Sequence, residues 1–438
     1  MAFTPDSRPS VAGARAARTA AALLLAFVAL FPTPAPAADE APVSVSHYVD
    51  LALRGNPSLA SMQERIRMKE NAAVRAGSLD DPKAWLGISN LPVNSWSFRE
   101  EDMTGKEIGV SQMFPFPGKR KLKTAVAASE KEQTEFDLQE MRNMLRADVK
   151  MAYAELAAVR RQAGVVRRSR EIVKEVVAVS QEMYAVGKAT QSDVHRGQVE
   201  FEKMREMLVM LESREKGLAI RLNTLAALPP GQAVPALDNL AEFPFDRGQE
   251  ELLALYRENR PARKGLQARV RKGEASVAMA RREYYPDIEL SASYMQRDAM
   301  PDGTSRPDMF SSMLQFTLPV WRAAKLDPAV REMSAERDMA RRDLEALDLE
   351  AANAIGGALA AIESRSSVAA LIRTTIVPHS ETAFETTLAS YRVGKVDFPM
   401  LMDTIMNLLS LRKDYEEMVG DLHMQRAKLE AAVGRELE

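Results

Sequence analysis

The stretch Tyr184-Ala185-Val186-Gly187-Lys188 returns as Tyr391-Arg392-Val393-Gly394-Lys395, 207 positions further on. Each copy closes a long run of helical periodicity and opens another. Upstream, Pro57, Pro82 and Pro115 return as Pro261, Pro286 and Pro319, each 204 positions on. The chain is therefore an internal duplication, and two similar halves build a symmetric wall more readily than one asymmetric active site. The step from 204 to 207 predicts three extra residues in the second copy, between Ile362 and Tyr391 and near Pro378.

Working back from the first turn, no proline occurs between Pro117-Gly118 and Pro229. Leu138, Met141, Leu145, Val149, Ala152, Leu156 and Val159 recur at spacings of three and four, a near-heptad seam with charges between. This predicts one helix from about Gly118 to Gly187, on the order of 100 Å long. Beyond the turn, a second helix is predicted from about Gln191 to Ala226. Ahead of the long helix, Tyr48 to Leu79 reads as a short helix stopped by Asp81-Pro82. Residues 83–115 then switch to period two, with Leu86, Ile88, Ile108 and Val110 alternating with Gly and Ser around a polar loop. That is a β-hairpin. The second half repeats each step: a helix over 252–282, a hairpin over 287–319, a long helix from Asp327 to Tyr391 interrupted at Pro378, and a last helix from Met400 to about Arg435. The predicted repeats are 38–227 and 248–438, their tips 186–190 and 393–397, with an equatorial connector at 228–247.

The short helices are about half as long as the long ones, so two end to end match one. On that reading the chain descends one long helix, turns at Gly187, and climbs back through 191–226 and then 252–282. The C-terminal helix and the N-terminal helix share the other column. The fold class is mainly α with a small β part: long antiparallel helical hairpins and four strands at one end. Four strands cannot close a barrel, and lipid does not tolerate an open edge. Three chains would supply twelve strands, within the range of known barrels, and the helices would continue them as an α-barrel tube. Such an assembly is a conduit.

The ends and composition agree with export. Arg8, Arg15 and Arg18 precede the apolar run Ala20 to Phe31 and the small-residue site Ala35-Pro36-Ala37, so residues 1–37 read as a cleaved signal peptide. There is no cysteine, which excludes disulfides, thiolate metal sites and a lipidated N-terminal Cys. From residue 38 onward the net charge is −4, which gives no reason to expect nucleic acid. HExxH, GxSxG and Walker-type motifs are absent, so no enzyme and no cofactor are expected.

The order helix, hairpin, long helix, YxVGK, helix, twice over, resembles the TolC family of outer-membrane efflux ducts from about Val45 to Leu437. The string Ser111-Gln112-Met113-Phe114-Pro115-Phe116-Pro117-Gly118-Lys119-Arg120 is similar to the heavy-metal branch of that family. The resemblance implies a passive homotrimer in outer-membrane lipid, with a twelve-stranded β-barrel on a periplasmic α-barrel. Its implied partners are a periplasmic adaptor (membrane fusion) protein and an inner-membrane pump of the resistance-nodulation-division type. It implies adaptor contacts at Val186, Gly187, Lys188, Val393, Gly394 and Lys395, and a periplasmic gate at Asp193, Tyr391 and Asp403. Met400 and Val396 stand where some members carry Asp and Arg. The plainer readings are helix termination for the tips, a first-turn Asp for Asp193, and seam packing for the methionine clusters Met204, Met207, Met210 and Met400, Met402, Met406. His47, His195, His379 and His423 form no ligand spacing, and no metal site is expected. The expected cargo is heavy-metal cations. The alternatives are a duct for drugs or small organic compounds and, from another class, a periplasmic coiled-coil scaffold with no pore.

Overall fold

The computed structural model describes residues 42–437; the signal peptide expected over 1–37 lies outside them. The described residues form two compact units. In the smaller, Val43 bridges Leu237 in parallel and its N–H donates to the Ala236 carbonyl at 2.8 Å. The larger takes in Ser44–Val234 and Asp238 onward.

In the larger unit the order is α1 (Val45–Gly55), α2 (Pro57–Ala76), β1 (Lys83–Ser89), β2 (Gly105–Phe114), α3 (Lys119–Ala185), α4 (Gln191–Leu225), α5 (Gln249–Asn259), α6 (Pro261–Arg282), β3 (Ile288–Gln296), β4 (Met309–Phe316), α7 (Asp327–Leu371), α8 (Val377–Arg392) and α9 (Phe398–Val433). Two π-helical turns, Arg322–Leu326 and Ile372–Ile376, precede α7 and α8.

The helices expected over 48–79 and 252–282 are each two helices. Asn56 and Arg260 sit in extended conformation, and Pro57 and Pro261 open α2 and α6. The cause is local: proline clashes with an α-helical residue before it and has no N–H to continue the ladder. Asn56 Oδ1 then caps α2 by accepting the Ser58 N–H at 2.8 Å. Pro378 acts differently, because α7 and α8 continue through the π turn just ahead of it. That turn adds one residue per loop and relieves the proline clash. The span from proline to tip glycine is 72 residues in the first copy and 75 in the second. The two π turns take up two of the three extra residues, and one of them lies far from the expected position near Pro378.

The 67-residue α3 organises the helices. Its seam is buried from Leu138 to Val176. It packs against α2 and α6 in one half and against α4 and α9 in the other. Both α6 and α9 also pack along α7, whereas α2 and α4 lie mainly along α3, with α4 touching α9 near the tips. The columns are therefore α2 with α4, and α6 with α9. This corrects the expected climb of one column through 191–226 and 252–282: the chain crosses to the other side of α3 through the connector. Matched lengths permit either pairing, and only packing distinguishes them.

The strands form one antiparallel sheet in the order β1-β2-β3-β4. The Phe-Pro-Gly-Lys turn locks that sheet to α3. Phe116 stacks on Tyr285 at 4.5 Å, and Gly118 takes φ +94°, a left-handed conformation that favours glycine. The buried Lys119 ammonium reaches Glu283 at 3.0 Å and Asp287 at 2.9 Å, while Asp287 also accepts the Phe116 N–H at 2.7 Å. At the connector, Glu242 accepts from Arg373 at 2.8 Å and from the Tyr415 hydroxyl at 2.9 Å. His423 Nε2 donates to the Ala241 carbonyl at 2.8 Å, its ring edge-on to Phe243.

Two outcomes follow from these contacts. Lys119→Met leaves Asp287 and Glu283 facing each other without a cation, at a cost of about 3 kcal/mol, the lower end for a buried pair because Glu283 stays partly solvated. The thermal unfolding midpoint followed by circular dichroism should fall; an unchanged midpoint would remove this ion pair from the junction. Burial lowers the His423 pKa below the usual imidazole value; the Ala241 bond opposes this, and Arg426 and Arg161 add to it. A depressed folded pKa means the contact stabilises fully above about pH 6.5 and is lost as pH falls through the folded value. Amide exchange of 239–245, corrected for intrinsic rate, should accelerate below pH 6.5 in the native chain. It should not do so in His423→Gln.

Candidate functional site

The sheet has two unlike faces, set by the register of its pairs. One face carries Leu86, Ile108, Tyr294 and Phe310 in one row, and Val110, Leu290, Leu314 and Phe316 in neighbouring rows. These are exposed, Leu86 to 83% and Phe310 to 73%. The other face carries Gly87, Glu107, Ser111, Glu289, Ser291, Ser293, Ser311 and Gln315. Here side chains lie across the sheet: the Trp85 ring covers Gly109, and the Met295 side chain covers Gly105, where a Cβ would collide with each. Exposed apolar groups on one side and a folded-in polar surface on the other fit a sheet with lipid outside and water inside. Among the described residues, strands β1 and β4 each leave one edge unpaired.

At the opposite ends of the long helices are the two tips. Gly187 and Gly394 take φ +74° and +77°. Lys188 N–H bonds back to the Met183 carbonyl at 2.8 Å and Lys395 N–H to Ser390 at 3.0 Å, while the glycine N–H groups bond to Tyr184 and Tyr391. This pattern closes a helix with one left-handed residue. Nothing lies within 4 Å of a Cβ placed on either glycine, so backbone angle alone demands them. Lys188 and Lys395 are exposed and form no ion pair among the described residues. Tyr184, Val186 and Val393 are exposed beside them, the two valines to 66% and 63%. The tips thus offer an apolar knob with a cation on top.

The three residues expected at a gate meet different fates. Asp193 belongs to a capping box: its carboxylate accepts from Thr190 N–H at 2.9 Å and Thr190 Oγ1 at 2.8 Å, and its N–H donates back to Thr190 Oγ1 at 3.2 Å. Tyr391 is buried, edge-on to Phe398, and its hydroxyl lies near that of Ser180 without a well-formed hydrogen bond among the described residues. Burial raises its pKa above the usual phenol value; the neighbouring Ser180 hydroxyl opposes the shift and the Asp193 charge adds to it. Within one chain, Tyr391 and Asp193 are neighbours without a bond. Asp403 is exposed and lines a cleft between α4 and α9 with His195, Arg196, Glu200 and Met402, and among the described residues it has no ion-pair partner.

The helical methionine clusters are dispersed. Met204 and Met402 are buried in the apolar seam near the tips, whereas Met210 and Met400 point out, exposed to 67% and 54%. Among the described residues no group of three or more His, Cys, Asp or Glu can hold a metal. Sequence reasoning missed the roles of Phe116 and Lys119 in the junction. The signal was there in a Pro-Gly-Lys placed between a strand and a helix, but their partners are some 170 positions away.

A family model described as outer membrane efflux protein matches residues 48–228 and 252–435. The pyoverdine export outer membrane protein OpmQ of Pseudomonas aeruginosa is 25% identical over 407 residues, 87% of this chain and 82% of its own. The cobalt-zinc-cadmium resistance protein CzcC of Cupriavidus metallidurans is 21% identical over 399 residues, 90% of each. Among solved structures, the outer membrane protein VceC of Vibrio cholerae superposes with TM-score 0.75 at 19% identity, over 90% of this chain and 97% of that one. CusC superposes with TM-score 0.74 at 14% identity, over 93% and 95%. At these identities the structures establish the fold.

The tip geometry sets an order of substitutions. Gly187→Ala and Gly394→Ala should each cost about 1 kcal/mol, since the positive φ and not a contact opposes the side chain. Asn should cost less than Ala at both positions, and Val more. Limited proteolysis at 183–190 and 390–397 measures this as faster cleavage in that order. Equal protection of the Ala and native chains would show that the tips tolerate a different turn.

Proposed function

The chain belongs to the outer membrane efflux protein family, and on that premise we propose that it is the outer-membrane duct of a three-part efflux system, a passive homotrimer that exports heavy-metal cations. The observation that carries the duct reading is the two-faced, four-stranded sheet with both edges open. In hydrocarbon each unpaired backbone group costs several kcal/mol, so an apolar-faced sheet with free edges needs partners. Three copies make twelve strands with no edge left. The continuous helical run Arg322–Arg392 supports the same assembly: only 28% of its most apolar stretch is buried, and Leu349 and Leu371 are exposed.

The tips support the periplasmic partners. Each offers exposed valine and lysine on a fixed turn, a surface suited to the helical hairpin of an adaptor, with a resistance-nodulation-division pump beneath. We assign the adaptor contacts to Val186, Gly187, Lys188, Val393, Gly394 and Lys395, and the gate to Asp193, Tyr391 and Asp403. The metal cargo rests on the likeness to CzcC and on the Phe-Pro-Gly-Lys string. A second reading, export of small organic compounds, has the likeness to OpmQ in its favour.

Fractionation and planar-bilayer recording test the duct. The protein should sediment with outer membranes as a detergent-resistant trimer and conduct weakly when isolated. Tyr391→Phe removes a buried hydroxyl that has no well-formed hydrogen bond among the described residues, so stability should be unchanged or slightly higher. If that hydroxyl holds the closed tip, conductance should rise severalfold. A soluble, non-conducting protein would favour the scaffold instead. Cargo is read from a deletion strain: sensitivity to cobalt, zinc, cadmium, copper or silver supports metal export, and full tolerance overturns it.

A further inference from the structure

The four strands contain four methionines, Met113, Met295, Met309 and Met313, and all four fall on the polar face. Hydropathy predicts the reverse. An apolar thioether is at home against lipid, yet the lipid-type face carries Leu, Ile, Val, Phe, Tyr and Ala, with Lys106, Gln112, Gln296 and Ser312 among them, and no methionine. The polar face is otherwise Ser, Glu, Gln and Gly with one Trp and one Lys. The register also sorts the methionines against the acids. Met295 stands directly opposite Glu107, and Met113 directly opposite Glu289, both across the β2–β3 pair. On its other side Met295 is directly opposite Met309, so Glu107, Met295 and Met309 form one row across three strands. Directly opposed side chains start about 5 Å apart at Cβ, close enough for two thioethers to share one ion. The Met295 thioether lies over Gly105 on β2, toward the strand of Glu107 and away from Met309, in space that any Cβ would fill, so binding an ion between the two thioethers requires Met295 to swing back toward β4. Glu107 is oriented by the Ser89 hydroxyl, which donates to it at 3.0 Å.

Thioether sulfur is a soft, neutral ligand that selects Cu(I) and its analogue Ag(I) over Zn(II) or Co(II). A carboxylate beside two thioethers offsets the single positive charge that neutral ligands leave. We propose that the row Glu107, Met295 and Met309 is a weak site for a soft monovalent cation on the wall of the conduit. The Met113–Glu289 pair, with Met313 one strand away, forms a second step along the same face. This rests on the duct reading and narrows its cargo. Weak sites in series suit passage, because an ion held by two thioethers and a carboxylate can leave as readily as it enters.

The test uses the full chain purified in detergent with methionine labelled as 13C-methyl, titrated with silver nitrate and separately with zinc chloride. Single variants Met295→Leu and Met309→Leu assign the two resonances and conserve volume. Silver should shift both methyl signals together, saturably, at micromolar to millimolar concentration, and zinc should shift neither. In the Met295→Leu/Met309→Leu chain silver affinity at this row should fall at least tenfold, while the Met113 and Met313 signals still respond. The far-ultraviolet spectrum and the trimer band check that this variant folds. Silent Met295 and Met309 signals at millimolar silver, or shifts confined to the helical methionines, overturn the site. Growth of a deletion strain on silver and copper separates this from failure of the duct reading. A sensitive strain with silent signals sinks only the site; a tolerant strain with responsive signals leaves the site standing and sinks metal export.

Discussion

Everything in the larger unit hangs on the buried seam of α3. A helix of 67 residues is apolar on two flanks at once, and each flank takes a column of two shorter helices. Each fully buried Leu or Val on such a seam contributes about 1.5–3 kcal/mol. A helix buried on one stripe joins a bundle, whereas a helix buried on two flanks becomes a stave in a wall. The seam runs past the junctions between stacked helices, so α3 holds α2 in line with α4, and α6 in line with α9, across gaps where the chain itself is not continuous. The connector's route from one side of α3 to the other follows from the same fact. Only a stave with two occupied flanks requires the chain to change sides.

What the sequence made legible was what its punctuation controls. Pro82, Pro115, Gly187 and Gly394 stop or start elements by backbone chemistry alone, so the hairpins, α3 and α4 lie within a few residues of their expected bounds. The breaks before Pro57 and Pro261 were harder to read, because apolar spacing continues across them and masks the change of axis. The column pairing was not legible at all, since length constrains which helices match but not which flank they take. The gate residues show a third limit. Asp193 carries its capping partner three residues away, so its local role was readable from Thr190. Burial of Tyr391 depends on Phe398, which reaches it only when the second tip folds back.

The two copies share a plan but differ in how they end. At the first tip, Thr190 and Asp193 form a reciprocal capping box. At the second, Asp397 caps α9 through the Met400 N–H, and Pro399 stands in its first turn. The first arrangement is polar throughout; the second drives Phe398 into the seam against Tyr391 and fills the space over Gly197. Among the described residues, only the second copy carries π turns. One copy is therefore a regular stave and the other a stave with two looser turns and an apolar plug at its tip. Where a wall made of such pairs must move, the irregular member has the weaker hydrogen-bond ladder.

The strands obey a different economy from the helices. In a helix, face is set by a period that sequence displays directly, but in a sheet the faces differ only by parity, and parity has no meaning until register is fixed. The pairs Trp85–Gly109 and Glu107–Met295 fix it here, because a shift of one residue would turn Leu86, Ile108 and Phe310 inward and the glutamates out to lipid. Lipid thus selects the register through its aversion to Glu107 and Glu289. The side chains left on the inner face are then free of the demands of core packing. There Met295 covers Gly105, as Trp85 covers Gly109, and a methionine that packs on the sheet in this way also keeps its sulfur on the inner face.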